Sequence, residues 1–415
     1  MSRHVRRSFT SLSIPNYRRY FTGQLISLSG TWMQTVAALW LVLSLTGSGL
    51  LVGLTTAVQF LPMLLIGAWG GLLADRIPKR RLLLATQALM AIPAVALFAV
   101  TAAGVAEAWM VMAAVFLMGT VNAVDNPTRQ SFVVEMVGPD KVVNAVSLNS
   151  VIVQMARIVG PAVAGIMIAA FGVVPCFAIN ALTFVAMIVA LWGMDPERLH
   201  TEPVAPRAPG AIRAGLRYVL RTPELAVPLA LLALVGTLGY NFQVILPLLA
   251  KFSFGGGAGT YAAMVSAMAV GSIVGALVNG SHGRTGPRLI AAGALAFGVA
   301  SLLAAAAPHL AFELIVLGVL GAASVTFAAS INSTLQLTVS PEMRGRVMAL
   351  YSVVFLGSTP IGGPLTGWLS EAYDPRVALV LAGVSGLSAA WAARASFARL
   401  RARTAEAQGA PAVAA

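Results

Sequence analysis

Asp75 closes a long apolar run and is followed at once by a basic turn, Arg76-Ile-Pro-Lys79-Arg80-Arg81. A carboxylate beside so many cations suits reversible ion pairing rather than bond making. It can meet a guanidinium, or dock on the positive N-terminal end of another helix. Gly71 stands one turn earlier, and a second carboxylate, Asp125, ends a later apolar run on the same side. Arg157 is a different kind of residue, because it lies inside an apolar run. An arginine there costs at least about 2.5–3.5 kcal/mol on insertion scales, so it is expected to face a cavity. Amides on the same run, Asn149 and Gln154, and on other runs, Gln34 and Asn180, join Tyr240, Asn241 and Gln243 as groups able to hydrogen-bond a solute in that cavity. The first run brings further polar and aromatic groups, from Gln24 and Ser27 to Trp32 and Met33. Gly160, Pro161 and Gly165, with Gly363 and Pro364, are of the types that let helices approach closely or weaken them locally, and read as packing or gating positions.

Covalent and metal chemistry find no comparable cluster. His4, His200, His282 and His309 all fall in loops or tails, and no metal or other cofactor is expected. No G-x-x-x-x-G-K-[ST] phosphate loop is present, which argues against an ATP-driven pump. The single cysteine, Cys176, allows no intrachain disulfide.

These residues must be carried by elements that sit in lipid. The chain is 58% hydrophobic and 10% charged over 415 residues, where a soluble domain carries about 25% charge. Twelve runs are long enough to cross a bilayer. They lie near 20–45, 50–73, 82–104, 107–126, 143–170, 173–194, 224–247, 259–281, 288–307, 310–332, 346–370 and 376–397. The first is too long for a signal-peptide core and reads as a helix that stays. This gives an N-terminal six-helix bundle over 1–194, a linker over 195–223, a C-terminal bundle over 224–400 and a disordered tail over 401–415. The linker is rich in proline and arginine, and its later part reads as an interfacial helix.

The net charge of +13 follows the same plan. Of the 27 Lys and Arg, only Lys251 and Arg376 fall in alternate loops and Arg157 in a run; the others crowd the loops and ends of one side. The positive-inside rule therefore places both termini in the cytoplasm. Clusters separated by apolar runs are topology signals, not a phosphate-tracking face, so nucleic acid is not an expected partner.

The two halves are related. Asn126-Pro-Thr128-Arg-Gln130 returns as Asn332-Ser-Thr334-Leu-Gln336, Gly160-Pro161 as Gly363-Pro364, and Gly67 with Gly71 as Gly271 with Gly275, all at offsets near 204. Parallel six-span repeats place a solute site between the halves near the midplane. Asn279 stands where Asp75 stands in the first half, so the second copy has lost the charge.

The segment Gly71-Leu-Leu73-Ala74-Asp75-Arg76-Ile-Pro78-Lys79-Arg80-Arg81 resembles the signature of the major facilitator superfamily, G-x-L-A-D-R-x-G-R-[RK]-[RK]. It departs at Pro78 and Lys79. The resemblance implies an all-α polytopic membrane protein of twelve transmembrane helices in two pseudo-symmetric six-helix bundles. It further implies a conformational latch: Asp75 docks on the N-terminal end of the eleventh helix when the cytoplasmic side is closed, and Lys79 meets Asp125. Gly71, Arg76 and Arg80 belong to the same latch. Gly160-Pro161 with Gly165 partly resembles the antiporter signature of the fifth helix, although Met155 and Ala156 replace its upstream glycines. Nearly the whole chain resembles the exporter branch that includes enterobactin and macrolide efflux proteins.

That resemblance implies a secondary transporter, not an enzyme, exporting a small organic molecule by alternating access with proton coupling. A uniporter or importer on the same fold is the alternative, and a non-transporting sensor the third reading. The expected setting is the plasma membrane, with a small-molecule substrate, protons and lipid as partners and a monomeric chain. No carboxylate is evident near the midplane, so the coupling is carried by the resemblance alone.

Overall fold

A computed structural model describes residues 10–138, 141–200, 211–282, 286–340 and 342–409. Twelve helical stretches among them are long and apolar enough to cross a membrane. Only helices and closed barrels satisfy every backbone group in lipid, and these runs take the first solution. The first half consists of α1 (Pro15–Thr46), α2 (Gly49–Arg76), α3 (Lys79–Ala102), α4 (Ala108–Val137), α5 (Val142–Phe171) and α6 (Val174–Trp192). A short helix in the linker, α7 (Ala211–Arg221), leads to the second half. There the seventh span is α8 (Pro223–Leu238) plus α9 (Phe242–Leu248), ending in a π turn over Leu249–Ser253. The remaining spans are α10 (Ala258–His282), α11 (Pro287–Ala305), α12 (Leu310–Thr338), the pair α13 (Arg344–Gly357) and α14 (Thr359–Ala372), and α15 (Pro375–Gly409).

The repeat seen in the sequence is a repeat of packing. In the first half the first span packs on the fifth and sixth, the second on the fourth, and the third on the fourth and sixth. In the second half the seventh packs on the eleventh and twelfth, the eighth on the tenth, and the ninth on the tenth and twelfth. The two largest crossings between the halves are α2 with α14 and α5 with α10, and each is the other's counterpart under the same repeat.

We call the end that carries Arg76, Lys79, Arg80 and Arg81 the basic end. Close contact between the halves is concentrated toward the far end. There Gly53 of α2 faces Gly363 of α14, and a methyl group on Gly53 would run into the Gly363 carbonyl. Gly165 of α5 meets Ala262 of α10, and Trp40 stacks on Tyr261 at 6.4 Å between ring centroids. Hydrogen bonds cross the same rim, from Ser48 Oγ to Glu371 Oε2 (2.6 Å), from the Leu50 N–H to Glu371 Oε2 (2.8 Å), and from Lys251 Nζ to the Leu43 carbonyl (3.0 Å). On the basic half of α2, by contrast, Leu65, Trp69 and Leu73 are exposed.

Two spans are broken, and the breaks touch. The seventh is interrupted at Gly239–Asn241 and the eleventh at Ser358. Gly236 lies against the Ser358 side chain, and Gly362 against the Thr237 carbonyl and the Asn241 amide. Non-helical backbone at membrane depth is tolerated where protein or a cavity surrounds it.

The ends differ from those expected. The fourth span runs to Val137 instead of stopping near 126, and Pro127 is carried inside the helix. The tenth runs to Thr338 rather than 332. Polar residues that looked like loop stay helical because they bond within the bundle: the Thr128 hydroxyl donates to the Val124 carbonyl (2.7 Å), and Asp125 pairs with Arg129 one turn on. The final helix continues to Gly409 where a disordered tail over 401–415 was expected; 410–415 lie outside the described residues.

Candidate functional site

The basic turn is built into the first half. Lys79 opens α3 and pairs with Glu135 in the last turn of α4. Arg80 donates to the carbonyls of Leu191 (2.8 Å) and Trp192 (2.9 Å), so its cation caps the C-terminus of α6, where the helix dipole is negative. Arg76 is exposed. Gly71 and Asp75 lie on α2, but their side chains fall outside the described residues.

Lys79 therefore does not meet Asp125, as the resemblance implied. The extra turns of α4 explain the correction. They carry Glu135 to the basic end, beside Lys79, and leave Asp125 within about 4 Å of the middle of a helix that rises 1.5 Å per residue. Asp125 is 2% exposed. Its Oδ1 accepts from Thr86 Oγ1 (2.6 Å) and Gln87 Nε2 (2.9 Å) of α3, and its Oδ2 from the Arg129 guanidinium. A buried charge needs such partners. Asp125 is thus a carboxylate buried well inside the fourth span, where the sequence had placed it at the span's end.

Arg157 stands on the side of α5 that lies between the first and second halves. On α5, Gly160 faces α1 at Ser29, Trp32 and Met33, and Gly165 faces α10 at Ala262. At 3.6 residues per turn, Arg157 falls about 60° from Gly160 and about 80° from Gly165, on the arc between those two neighbours. Its guanidinium lies 5.0 Å from the Trp32 ring centroid. Arg157 is exposed, and among the described residues no carboxylate pairs with it. Gln154 and Asn149 are half-buried on the same helix, and Gln243 on α9. Asn149 and Gln243 each hold a buried side-chain oxygen without a hydrogen-bond partner.

Other residues expected in the cavity are packing groups. Asn180 donates to Gln34 Oε1 (2.6 Å) and accepts from Thr183 (3.0 Å), while Gln34 Nε2 lies 2.8 Å from the Met118 sulfur. Both amides are buried among α1, α4 and α6. Tyr240 donates to the Ser324 carbonyl (2.8 Å) and sits edge-on to Phe297, Phe327 and Phe355. Asn241 is buried at the break, donating to the Thr237 carbonyl (2.7 Å). Sequence shows each as a polar residue in an apolar run; only the facing of its helix separates it from Arg157. Pro161 lies inside α5 and Pro364 inside α14.

Among known proteins, the family model described as "Transmembrane secretion effector" matches residues 6–412. The staphyloferrin A transporter of Staphylococcus aureus is 24% identical over 269 residues, 62% of this chain and 65% of that one. An MFS-type transporter of Bacillus subtilis is 28% identical over 49% of this chain and 48% of its own. The chain thus matches just under two thirds and about half of these two relatives. The multidrug efflux pump Tap of Mycolicibacterium fortuitum is 28% identical over 83% of this chain and 86% of that one. Macrolide efflux protein A of Streptococcus pyogenes is 24% identical over 82% and 86%. Among solved structures, the nucleoside transporter NupG superposes with a TM-score of 0.73 over 92% of this chain and 99% of that one, at 14% identity. An inward-facing bacterial homolog of the lysosomal transporter Spinster gives 0.70 over 92% and 95%, at 16%. At these identities the likeness is one of fold.

Proposed function

The chain belongs to the transmembrane secretion effector family of major facilitator transporters, and on that footing we propose that it exports a small organic molecule by alternating access, driven by protons. The observation that carries the reading is Arg157. It is a cation within a membrane span, stacked on Trp32 on the arc of α5 between α1 and α10, with no counter-charge among the described residues. A charge at that depth is normally paired or solvated. A solute carrying an anionic group beside a planar or apolar body fits both partners.

Relatives named for siderophore, multidrug and macrolide transport support a bulky organic substrate, and the efflux names support outward movement. The charge bias supports the basic end, with both termini, on the cytoplasmic side of the plasma membrane. In that orientation the far-end contacts close the outer face, and the arrangement is the inward-facing one. Asp125, buried within the fourth span, supplies a carboxylate of the kind that proton coupling uses. One chain suffices for this cycle, because both halves that move against each other belong to it.

Counterflow in proteoliposomes, with siderophores, macrolides and dyes as probes and with or without a pH gradient, tests the reading. Saturable exchange, faster for anionic probes and accelerated by an opposing proton gradient, is expected. No saturable exchange with any probe would leave a sensor. Exchange together with lower cellular accumulation on gene deletion would make it an importer.

A further inference from the structure

We propose that Glu371 and the N-terminus of α2 form the latch that holds the outer face closed. Glu371 stands in the last turn of α14, and its Oε2 accepts from both Ser48 Oγ (2.6 Å) and the Leu50 N–H (2.8 Å). Ser48 is the N-cap of α2, and its own oxygen accepts from the Leu51 N–H (3.2 Å). Two helix-start amides that have no partner within their helix are thus satisfied, one by the cap and one by a carboxylate from the other half of the molecule.

Helix electrostatics make the placement informative. A carboxylate in the last turn of a helix faces that helix's negative end and is disfavoured there. Glu371 is in such a turn, and gains by reaching the positive end of an antiparallel neighbour. The reach is short because glycines line the crossing: Gly49 and Gly53 face Gly367 and Gly363. Glu371 is exposed at the rim. When α2 and α14 part, water replaces its bonds, so the latch is weak and reversible, as a gate near balance requires.

The same two spans carry the latch expected at the inner face. Asp75 is near the C-terminal end of α2, and α13 begins the eleventh span. With the inner latch that the resemblance implies, each span holds a carboxylate near its C-terminal end for the other's N-terminus, Glu371 for the shut outer face and Asp75 for the shut inner face. This inference rests on the alternating-access part of the functional reading and not on any substrate.

The test is a distance distribution across the outer face of the full chain in lipid, with spin labels at Val105→Cys and Ala306→Cys. Both sites are exposed, one in each half, and the native Cys176 is buried. No substrate is needed, so failure here is separable from failure of flux. Glu371→Ala is expected to move the closed-to-open ratio of the outer face roughly 2–5-fold toward open, the range of a carboxylate lost from a solvent-exposed helix N-terminus. Ser48→Ala should move it in the same direction by less, and the double variant no further than Glu371→Ala alone. Asp75→Asn should move it the opposite way. Glu371→Gln, which keeps size and an acceptor but not the charge, should fall between wild type and Glu371→Ala, and it decides the matter if the alanine variant does not fold. A distribution equal to wild type in the glutamine variant, or independent and additive shifts for Ser48 and Glu371, overturns the proposal.

Discussion

Lys79 and Glu135 form an ion pair that ties the start of α3 to the end of α4, with side chains 14% and 9% exposed. The pair sits within one half, so rocking of the halves need not break it. Its expected role is to hold rigid the basic turn on which the latch implied by the resemblance depends. Glu135→Gln would leave Lys79 largely buried and unpaired, at a cost of about 1–3 kcal/mol. Thermal unfolding of Lys79→Gln, Glu135→Gln and the double variant in detergent checks this. The double variant should lose clearly less than the sum of the singles. Additive losses would return Lys79 to a topology signal.

Asp125 offers a contrasting case. Arg129 is 9% exposed, and Asp125 is the carboxylate paired with it. Asp125→Asn should therefore destabilise by about 3–5 kcal/mol, the range for a buried ion left without its partner. The double variant Asp125→Asn, Arg129→Gln should recover part of that loss. Measured against Lys79, the coupling should be near zero, which distinguishes this network from the pairing that the superfamily resemblance implied.

The spans were legible because a bilayer demands about 20 apolar residues, and nothing else in a chain imitates that. Their ends were not. Asp125 and Asn126 read as the end of a span and Pro127, Thr128 and Arg129 as loop, whereas the bonds of Asp125 to Thr86, Gln87 and Arg129 hold this stretch inside the bundle. The candidate site was half legible for a related reason. Gln34, Asn180 and Arg157 look alike as polar residues in apolar runs, and the rotation of each helix against its neighbours decides which faces the space between the halves. Glu371 had no signal at all in isolation, since its partners lie 321 and 323 residues away.

Gly53 and Gly363 provide a steric test of closure at the outer face. A methyl group on Gly53 would strike the Gly363 carbonyl, whereas one on Gly363 would lie 3.0 Å from the Gly53 carbonyl, tight but close to tolerable. Gly53→Ala should therefore hold the outer face open and reduce exchange by about tenfold or more, equivalent to at least about 1.4 kcal/mol against closure. Gly363→Ala should reduce it by less. Flux measured beside the outer-face distance distribution checks the order. Equal effects, or none, would mean that α2 and α14 do not need this approach to complete the cycle.

Arg157 and Trp32 separate charge from stacking at the proposed site. Arg157→Gln removes the cation and should raise the half-saturating concentration of an anionic substrate by roughly 10–100-fold, as loss of a charged hydrogen-bond donor does. Arg157→Lys keeps the charge but not the planar face, so most of the affinity for a compact anion should survive while that for a planar one falls. Trp32→Ala should cost only a few-fold, because an exposed cation–π contact contributes about 0.5–1 kcal/mol. A neutral substrate should discriminate little among the three. Half-saturating concentrations from counterflow give the comparison directly. If neutral and anionic probes lose affinity equally in Arg157→Gln, the arginine is shaping the helix interface and the substrate is read elsewhere.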